Sequence, residues 1–227
     1  MPDDVVEVLG VGPGGPCAGL LESLRTPDGA WLHPTTQPHI PGVTGESVTT
    51  AIIDTGLSVE HPRLRRAVTA RVDLTAEGEG DECGHGTVVA LILLAWTPDA
   101  KLIDVKALGR GAKATAERLV EALDWVRHRQ DARFVNLSAG LYRPWCTGEC
   151  DVCQAATRLA ESGHYLTVAA GNRPGITACP AKARGDRILS VGELDPLLGA
   201  LTATTSPTGP NGILAPTGPY RMEVSEP

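Results

Sequence analysis

Three short motifs in this chain carry side chains suited to acid–base and acyl-transfer chemistry. Asp54 follows the run Ala51-Ile52-Ile53 and precedes Thr55-Gly56, so a short carboxylate stands before a glycine turn that could face it into a cleft. His85 lies in Gly84-His85-Gly86-Thr87, directly before a long apolar stretch, where the flanking glycines permit close approach. Asn172 ends Ala169-Ala170-Gly171-Asn172, a position from which its amide could donate to a developing oxyanion. A carboxylate, an imidazole and an amide donor are the groups that general acid–base catalysis at a carbonyl requires. Taken singly, each has a plainer reading: a turn, a helix cap or core histidine, and a loop asparagine.

Such groups act together only if the chain brings them to one place. From Val48 onward, strand and helix alternate. Residues Val48 to Ile53 form a β-rich run, Val88 to Trp96 an apolar run of helix length, and Lys101 to Leu108 a further strand. Ala114 to Arg129 places Leu119, Val120, Leu123 and Val126 at helical spacing, and Arg133 to Leu137 reads as the next strand. Gln154 to Gly163 is helical with Gly163 as its C-cap, and Tyr165 to Ala170 and Ile188 to Val191 are strands. That succession predicts an α/β domain with a parallel sheet covered by helices, and in such sheets reactive residues gather beyond the carboxyl ends of the strands. Residues 1–45 are rich in glycine and proline and read as an irregular leader, with 46–227 as the folded domain. The Gly12-Pro13-Gly14-Gly15 cluster reads as turn chemistry, since no lysine follows to make it a phosphate loop.

Composition removes some functions. A net charge of −7 leaves no cationic surplus to neutralise a phosphate backbone, so nucleic acid is not an expected partner. No apolar run is long enough to cross a bilayer, so no membrane partner is expected either. Asp3 and Asp4 stand where a secretory signal would carry positive charge, which makes cytoplasm the expected location. In that compartment six cysteines argue for metal ligation or buried thiols over a disulfide framework.

Joined in this order, the motifs resemble the subtilisin-like serine peptidases from about Gly45 to about Pro216. Gly45 to Gly56, followed by His61-Pro62, is similar to the family's aspartate block. Gly84 to Ala90, with Pro98 to Leu102 and Val105 to Leu108, is similar to its histidine block. Val135 to Gly140 resembles the substrate-binding strand, and Val168 to Asn172 with Pro180-Ala181 the oxyanion block. The resemblance implies a subtilisin-like three-layer α/β fold, with a mostly parallel sheet flanked by helices and its C-terminal part missing. It implies that Asp54 orients the imidazole, that His85 moves the proton, and that Asn172 donates to the oxyanion. It also implies a polypeptide substrate held as an added strand between Ser138, Ala139 and Gly140 on one side and Gly109 to Gly111 on the other.

Departures from the family pattern bear on activity. The family's nucleophile lies in a Gly-Thr-Ser-x-Ala-x-Pro motif shortly after an Ala-Pro-Gly turn. The turn is recognisable here as Ala215-Pro216-Thr217-Gly218, but no such motif follows. Ser225, the one serine after the turn, and Ser206 before it stand in unrelated surroundings. Val88 and Leu91 replace a histidine and a glycine common in the histidine helix. Three readings follow: a truncated or split peptidase whose serine helix comes from a downstream segment or a second chain; a pseudopeptidase that binds peptide or a partner protein without cutting; or an enzyme repurposed around Asp54, His85 and the thiol of Cys83.

Cys146, Cys150 and Cys153 form a Cys-x3-Cys-x2-Cys cluster after the substrate-binding strand, and Cys179 follows the neighbouring strand. In the resembled fold these loops approach one another, so four thiolates would surround a structural zinc ion tetrahedrally. Unligated thiols, or one or two disulfides, are the alternative. Cys17 carries no signal, and no compact run of oxygen ligands speaks for or against the calcium that many relatives bind.

Overall fold

The computed structural model describes residues 5–8, 17, 19–35, 42–195, 200–201, 208–216 and 221–225. Along the chain these form β1 (Val5–Val8), α1 (Leu20–Ser23), β2 (Leu32–Thr35), β3 (Thr49–Asp54), α2 (Pro62–Ala67), β4 (Val68–Asp73), α3 (His85–Trp96), β5 (Lys101–Lys106) and β6 (Lys113–Thr115). They continue as α4 (Ala116–Arg127), β7 (Phe134–Leu137), β8 (Ala139–Gly140), α5 (Asp151–Glu161), β9 (Tyr165–Ala169), β10 (Ile188–Asp195), β11 (Ala200–Leu201), β12 (Gly212–Pro216) and β13 (Arg221–Val224).

Strands β12, β10, β9, β7, β3, β5 and β4 lie side by side and parallel, with β11 antiparallel against the end of β10. The chain leaves β3 toward β5 and β4 on one side and returns to β7 and β9 on the other. The carboxyl end of β3 is therefore the point where the winding reverses, and a crevice opens at such a point.

The period-two alternation of the strands makes the domain three layers thick. Ala51 and Ile53 of β3, with Ile103 and Val105 of β5, pack into one apolar cluster with Leu119, Leu123 and Val126 of α4 and with Val152 and Leu159 of α5. Ile52 and Leu102 point the other way, into a second cluster with Leu64 of α2 and Ala90, Leu91 and Leu94 of α3. Helix α4 buries Ala116, Leu119, Ala122, Leu123 and Val126, the stripe its spacing predicts, and Thr115 caps it by accepting the Arg118 N–H at 3.2 Å. The expected α/β fold with a mostly parallel sheet is what the residues build. Helices α3 and α5 each begin three residues earlier than apolar periodicity alone suggests, because polar residues open their first turns.

The leader differs from its expectation of irregular chain. Strand β1 and helix α1 lie within it, β2 pairs antiparallel with β13, and Val6 and Leu24 are buried in the two clusters. The Gly12 to Gly15 turn lies outside the described residues, as does Ser206.

A buried ion pair fixes the turn that follows β3. Arg71 on β4 donates from Nε and Nη2 to Asp104 Oδ2 at 3.0 Å each, and Nη2 also donates to the Leu57 carbonyl at 2.9 Å. The Leu57 N–H donates to the same Asp104 oxygen at 3.1 Å. Burial pushes the Asp104 carboxyl up to about 6, against the opposing pull of Arg71. Arg71→Met leaves that carboxylate uncompensated, and breaking a buried pair from one side typically costs about 3–5 kcal/mol. Arg71 is what holds the Asp104 carboxyl down to about 6, so in the variant it titrates higher still: at acid pH Asp104 is neutral with or without its partner and the loss is small, and as pH rises the variant must hold the proton or bury an unpaired charge. Urea unfolding of Arg71→Met is therefore expected to show a large loss at pH 8 that shrinks toward pH 5; a loss independent of pH would overturn this assignment.

Candidate active site

Asp54 is the last residue of β3, fully buried, and its Oδ1 accepts the Nδ1–H of His85 at 2.7 Å. That hydrogen bond places the exchangeable site of the neutral imidazole at Nε2. Asp54 Oδ1 also accepts the Thr55 N–H at 2.8 Å, while Oδ2 is buried without a hydrogen-bond partner among the described residues.

His85 opens α3, and a residue that the sequence reading passed over puts it there. Asp81 is buried and its two oxygens accept five hydrogen bonds. Oδ1 takes the Thr55 hydroxyl at 2.8 Å and the N–H groups of Cys83 at 3.1 Å and Gly84 at 2.7 Å. Oδ2 takes the Thr87 N–H at 2.9 Å and its hydroxyl at 2.7 Å. Thr55 in turn accepts the Gly86 N–H at 3.0 Å. One carboxylate thus caps the first turn of α3 and ties it to the residue after Asp54. The approach is close enough to require glycine: a Cβ on Gly86 would stand 2.3 Å from the Gly56 carbonyl oxygen and 3.1 Å from Asp54 Cβ. An acidic residue four positions before His85, ahead of a helix, was the available signal for this cap.

Asn172 and the Ser138 to Gly140 segment reach the same end of the sheet. Ile53 pairs with Leu137 and Leu137 with Val168, so Asp54, Ser138 and Ala169 stand level on the neighbouring strands β3, β7 and β9, with Asn172 three residues beyond. The Asn172 N–H donates to the hydroxyl of Tyr142, a buried residue packed with Ala178 and flanked by Ala169 and Ile176. Tyr142, which the sequence reading also missed, therefore ties the loop that carries Asn172 to the segment that follows β8.

The strand facing β8 lies at Lys113–Thr115, not at Gly109 to Gly111. Residues 109–112 form a closed turn: the Gly109 N–H donates to the Lys113 carbonyl at 3.0 Å and the Ala112 N–H to the Gly109 carbonyl at 2.8 Å. Glu77 lies against Gly109, where an added Cβ would meet its Oε1 at 2.4 Å, and accepts the Arg110 N–H at 2.8 Å. Gly109 spends both of its backbone groups on the turn, and the strand paired in the sheet there is β6.

Cys83 is likewise placed differently from the thiol reading, since its sulfur is bonded to that of Cys17. A disulfide sulfur is no nucleophile, which removes the thiol-based alternative for this oxidised form. Ser225 has its hydroxyl on His33 Nδ1 at 2.9 Å and near His61 Nε2 at 3.4 Å. His61 Nδ1 accepts the Arg63 N–H and its Nε2–H donates to the Leu32 carbonyl at 3.0 Å, so the nitrogen facing Ser225 already holds a proton. Burial pushes the His61 imidazole down to about 4. The serine knits β13 to β2 and to the start of α2.

Cys146, Cys150, Cys153 and Cys179 are all buried, and their sulfurs lie within 4.8 Å of one another. Cys150 stands at the N-cap position of α5 and Cys153 sits in its first turn. Cys179 exchanges both backbone hydrogen bonds with Leu141, at 3.1 and 2.8 Å, and Leu141 directly follows β8. Four sulfurs on a tetrahedral ion with metal–sulfur bonds of about 2.3 Å would be about 3.8 Å apart, and Cys146 and Cys153 already are 3.9 Å apart. The donor set fits a thiophilic metal, and it joins the two segments that flank Tyr142.

Replacing Asp81 by Asn leaves one acceptor oxygen for donors that now use two. Asp81→Asn is expected to lower stability by about 2–4 kcal/mol in urea unfolding and to speed amide exchange at Gly84 to Thr87 ahead of the rest of α3. Unchanged exchange there would refute the capping role.

The family model described as the subtilase family matches residues 45–226. A subtilisin-like protease of Coccidioides posadasii is 33% identical over 146 residues, which is 60% of this chain and 38% of that protein. Subtilisin BL of Lederbergia lenta is 31% identical over 69% of this chain and 59% of its own length, and a subtilase-type proteinase of Saccharomyces cerevisiae 31% over 66% and 32%. The chain thus spans between about a third and three fifths of these relatives. Among solved structures, a lanthipeptide protease superposes with a TM-score of 0.65 at 21% identity, over 77% of this chain and 57% of that one. The mutant protease domain of PatA does so with 0.65 at 23%, over 78% and 70%. With the family model matching residues 45–226, most of the chain, and with an α/β fold like that of those structures, the chain belongs to the subtilase family of serine peptidases.

Proposed function

We propose that this chain supplies the acid–base and oxyanion groups of a subtilisin-type serine endopeptidase, and that hydrolysis requires a serine delivered to His85 by a further segment, in the same polypeptide or a second chain. The observation that carries the reading is the buried Asp54–His85 hydrogen bond of 2.7 Å at the carboxyl ends of the central strands. His85 Nε2 would take the proton of the serine hydroxyl as it attacks the peptide carbonyl and return it to the leaving amine, while Asp54 stabilises the imidazolium formed between. Asn172 would donate to the tetrahedral oxyanion, a contact typically worth about 2.7–4 kcal/mol. A polypeptide substrate would lie as an added strand along Ala139–Gly140. Without the serine, these residues would bind peptide and not cut it.

The test is intact mass after a fluorophosphonate, which modifies an activated serine, on the chain and on His85→Ala. No His85-dependent adduct is expected on these 227 residues. An adduct present in the parent and lost in His85→Ala would place the nucleophile within them.

The four-cysteine cluster is proposed to hold one structural zinc ion, Cys146, Cys150, Cys153 and Cys179 each giving a thiolate. Its chemistry is mechanical: closed coordination leaves no position for substrate, and the ion would clamp the loop after β8 to the segment that follows Asn172. Metal analysis of the purified chain is expected to give one zinc per molecule, and chelation to lower Tm by roughly 10 °C or more, since binding energy at such a site is folding energy. Metal-free protein with an unchanged Tm would refute the site.

A further inference from the structure

Lys106, the last residue of β5, is a buried cation with 3% of its surface exposed. A lysine that deep is normally neutralised by a carboxylate, because an ammonium taken out of water is costly. Here no acidic oxygen lies within ion-pair reach among the described residues, and the ammonium donates to the Gly78 carbonyl at 2.8 Å. The opposite imbalance stands beside it. Asp54 and Asp81 are buried carboxylates, and the donors around them are backbone N–H groups, threonine hydroxyls and His85, with no lysine or arginine among the described residues. Asp54 stands level with Lys106 on the neighbouring strand β3, and Asp73 level with it on β4. In-register residues of parallel strands project from the same face, about 4.8 Å apart, and this face is the one that α3 covers. Beyond Lys106 the chain folds onto Asp54, whose carbonyl accepts the N–H groups of Ala107 and Leu108 at 2.9 and 3.1 Å.

The side chain runs past the turn after Asp54 to the loop before His85. A Cβ on Gly56 would stand 3.2 Å from Lys106 Cδ and 2.4 Å from the Gly80 carbonyl oxygen. Gly78, which takes the ammonium on its carbonyl, gives its N–H to Asp73 Oδ2 at 2.9 Å, and the Lys106 carbonyl accepts the Leu74 N–H at 2.9 Å. Both backbone groups of Gly78 are thus held by side chains of β4 and β5. Three residues on stands Asp81, the carboxylate that caps α3. We infer that Lys106 is a positioning residue of the site: its ammonium anchors the loop that brings Asp81, and so His85, to Asp54, and its charge offsets the buried carboxylates there. It touches no reacting atom. A neutral side chain of the same length would fill the space and supply neither contribution. This role presumes Asp54 and His85 to be the proposed acid–base pair, yet its measurement needs neither a serine nor turnover. An adduct with the fluorophosphonate would unseat the two-segment reading and leave the role of Lys106 standing.

Two full-length variants separate the role from space filling. Lys106→Met keeps the stem and removes the charge and the donor, while Lys106→Arg keeps both. The first readout is the His85 Nδ1 proton, which a hydrogen bond to a buried carboxylate moves far downfield in the proton NMR spectrum and which is assigned by its absence from His85→Ala. The second is amide exchange at residues 78–87, with residues 51–53 of β3 as the marker of an intact sheet. In Lys106→Met the downfield proton is expected to move upfield and broaden, and residues 78–87 to exchange roughly tenfold faster with β3 unchanged. Lys106→Arg is expected to keep most of the downfield signal. A Lys106→Met protein with β3 protected and the proton unmoved overturns the inference, since a side chain that merely fills space would give that result. A measurement on the parent holds however the variants fold. Its Lys106 ammonium, assigned through its own stem carbons, is expected as a slowly exchanging NH3+ cross-peak. Exchange as fast as that of the exposed Lys101 and Lys113 overturns the inference as well.

Discussion

The carboxylate of Asp81 is the contact on which the rest of the site depends. Helix α3 begins at His85 and carries no capping side chain on the residue before it, Gly84, so its first N–H groups need an acceptor from elsewhere. Asp81 supplies it and, through the Thr55 hydroxyl that it also accepts, holds the residue after Asp54. The imidazole is thus positioned by the helix and the aspartate by the strand, and a single buried anion sets the distance between them. Glycines at 56 and 86 allow the two segments to close, and Arg71 with Asp104 fixes the next turn from beneath. The Asp54–His85 contact is a consequence of this frame, and no other described contact joins those two side chains.

Much of this was legible because strands and helices in a parallel α/β domain write simple periods. Ala51-Ile52-Ile53 had to face two cores, and Leu119, Leu123 and Val126 had to face one. Asp54, His85 and Asn172 were found as ends of such elements. What escaped were features that depend on partners distant in sequence. Val5-Val6-Glu7-Val8 is too short to declare itself a strand, and its pairing with residues more than a hundred positions away is set by β6 and β8, which it joins. Glu77 against Gly109 turned a glycine-rich edge into a closed turn, which shifted the pairing strand to Lys113. The Cys17–Cys83 bond joins residues 66 positions apart, and spacing alone could not single them out among six cysteines.

The cysteine cluster and Tyr142 act on the opposite wall. The segment after β8 would otherwise be a long surface loop, free to drift from the strand end that carries Asn172. Three things hold it: the Leu141–Cys179 backbone pair, the Tyr142 hydroxyl accepting from the Asn172 amide, and the sulfur cluster behind both. An oxyanion donor is effective only if it is already in place when charge develops. A metal at the cluster would stiffen that wall without touching substrate, as a hydrophobic core stiffens the wall made by α3.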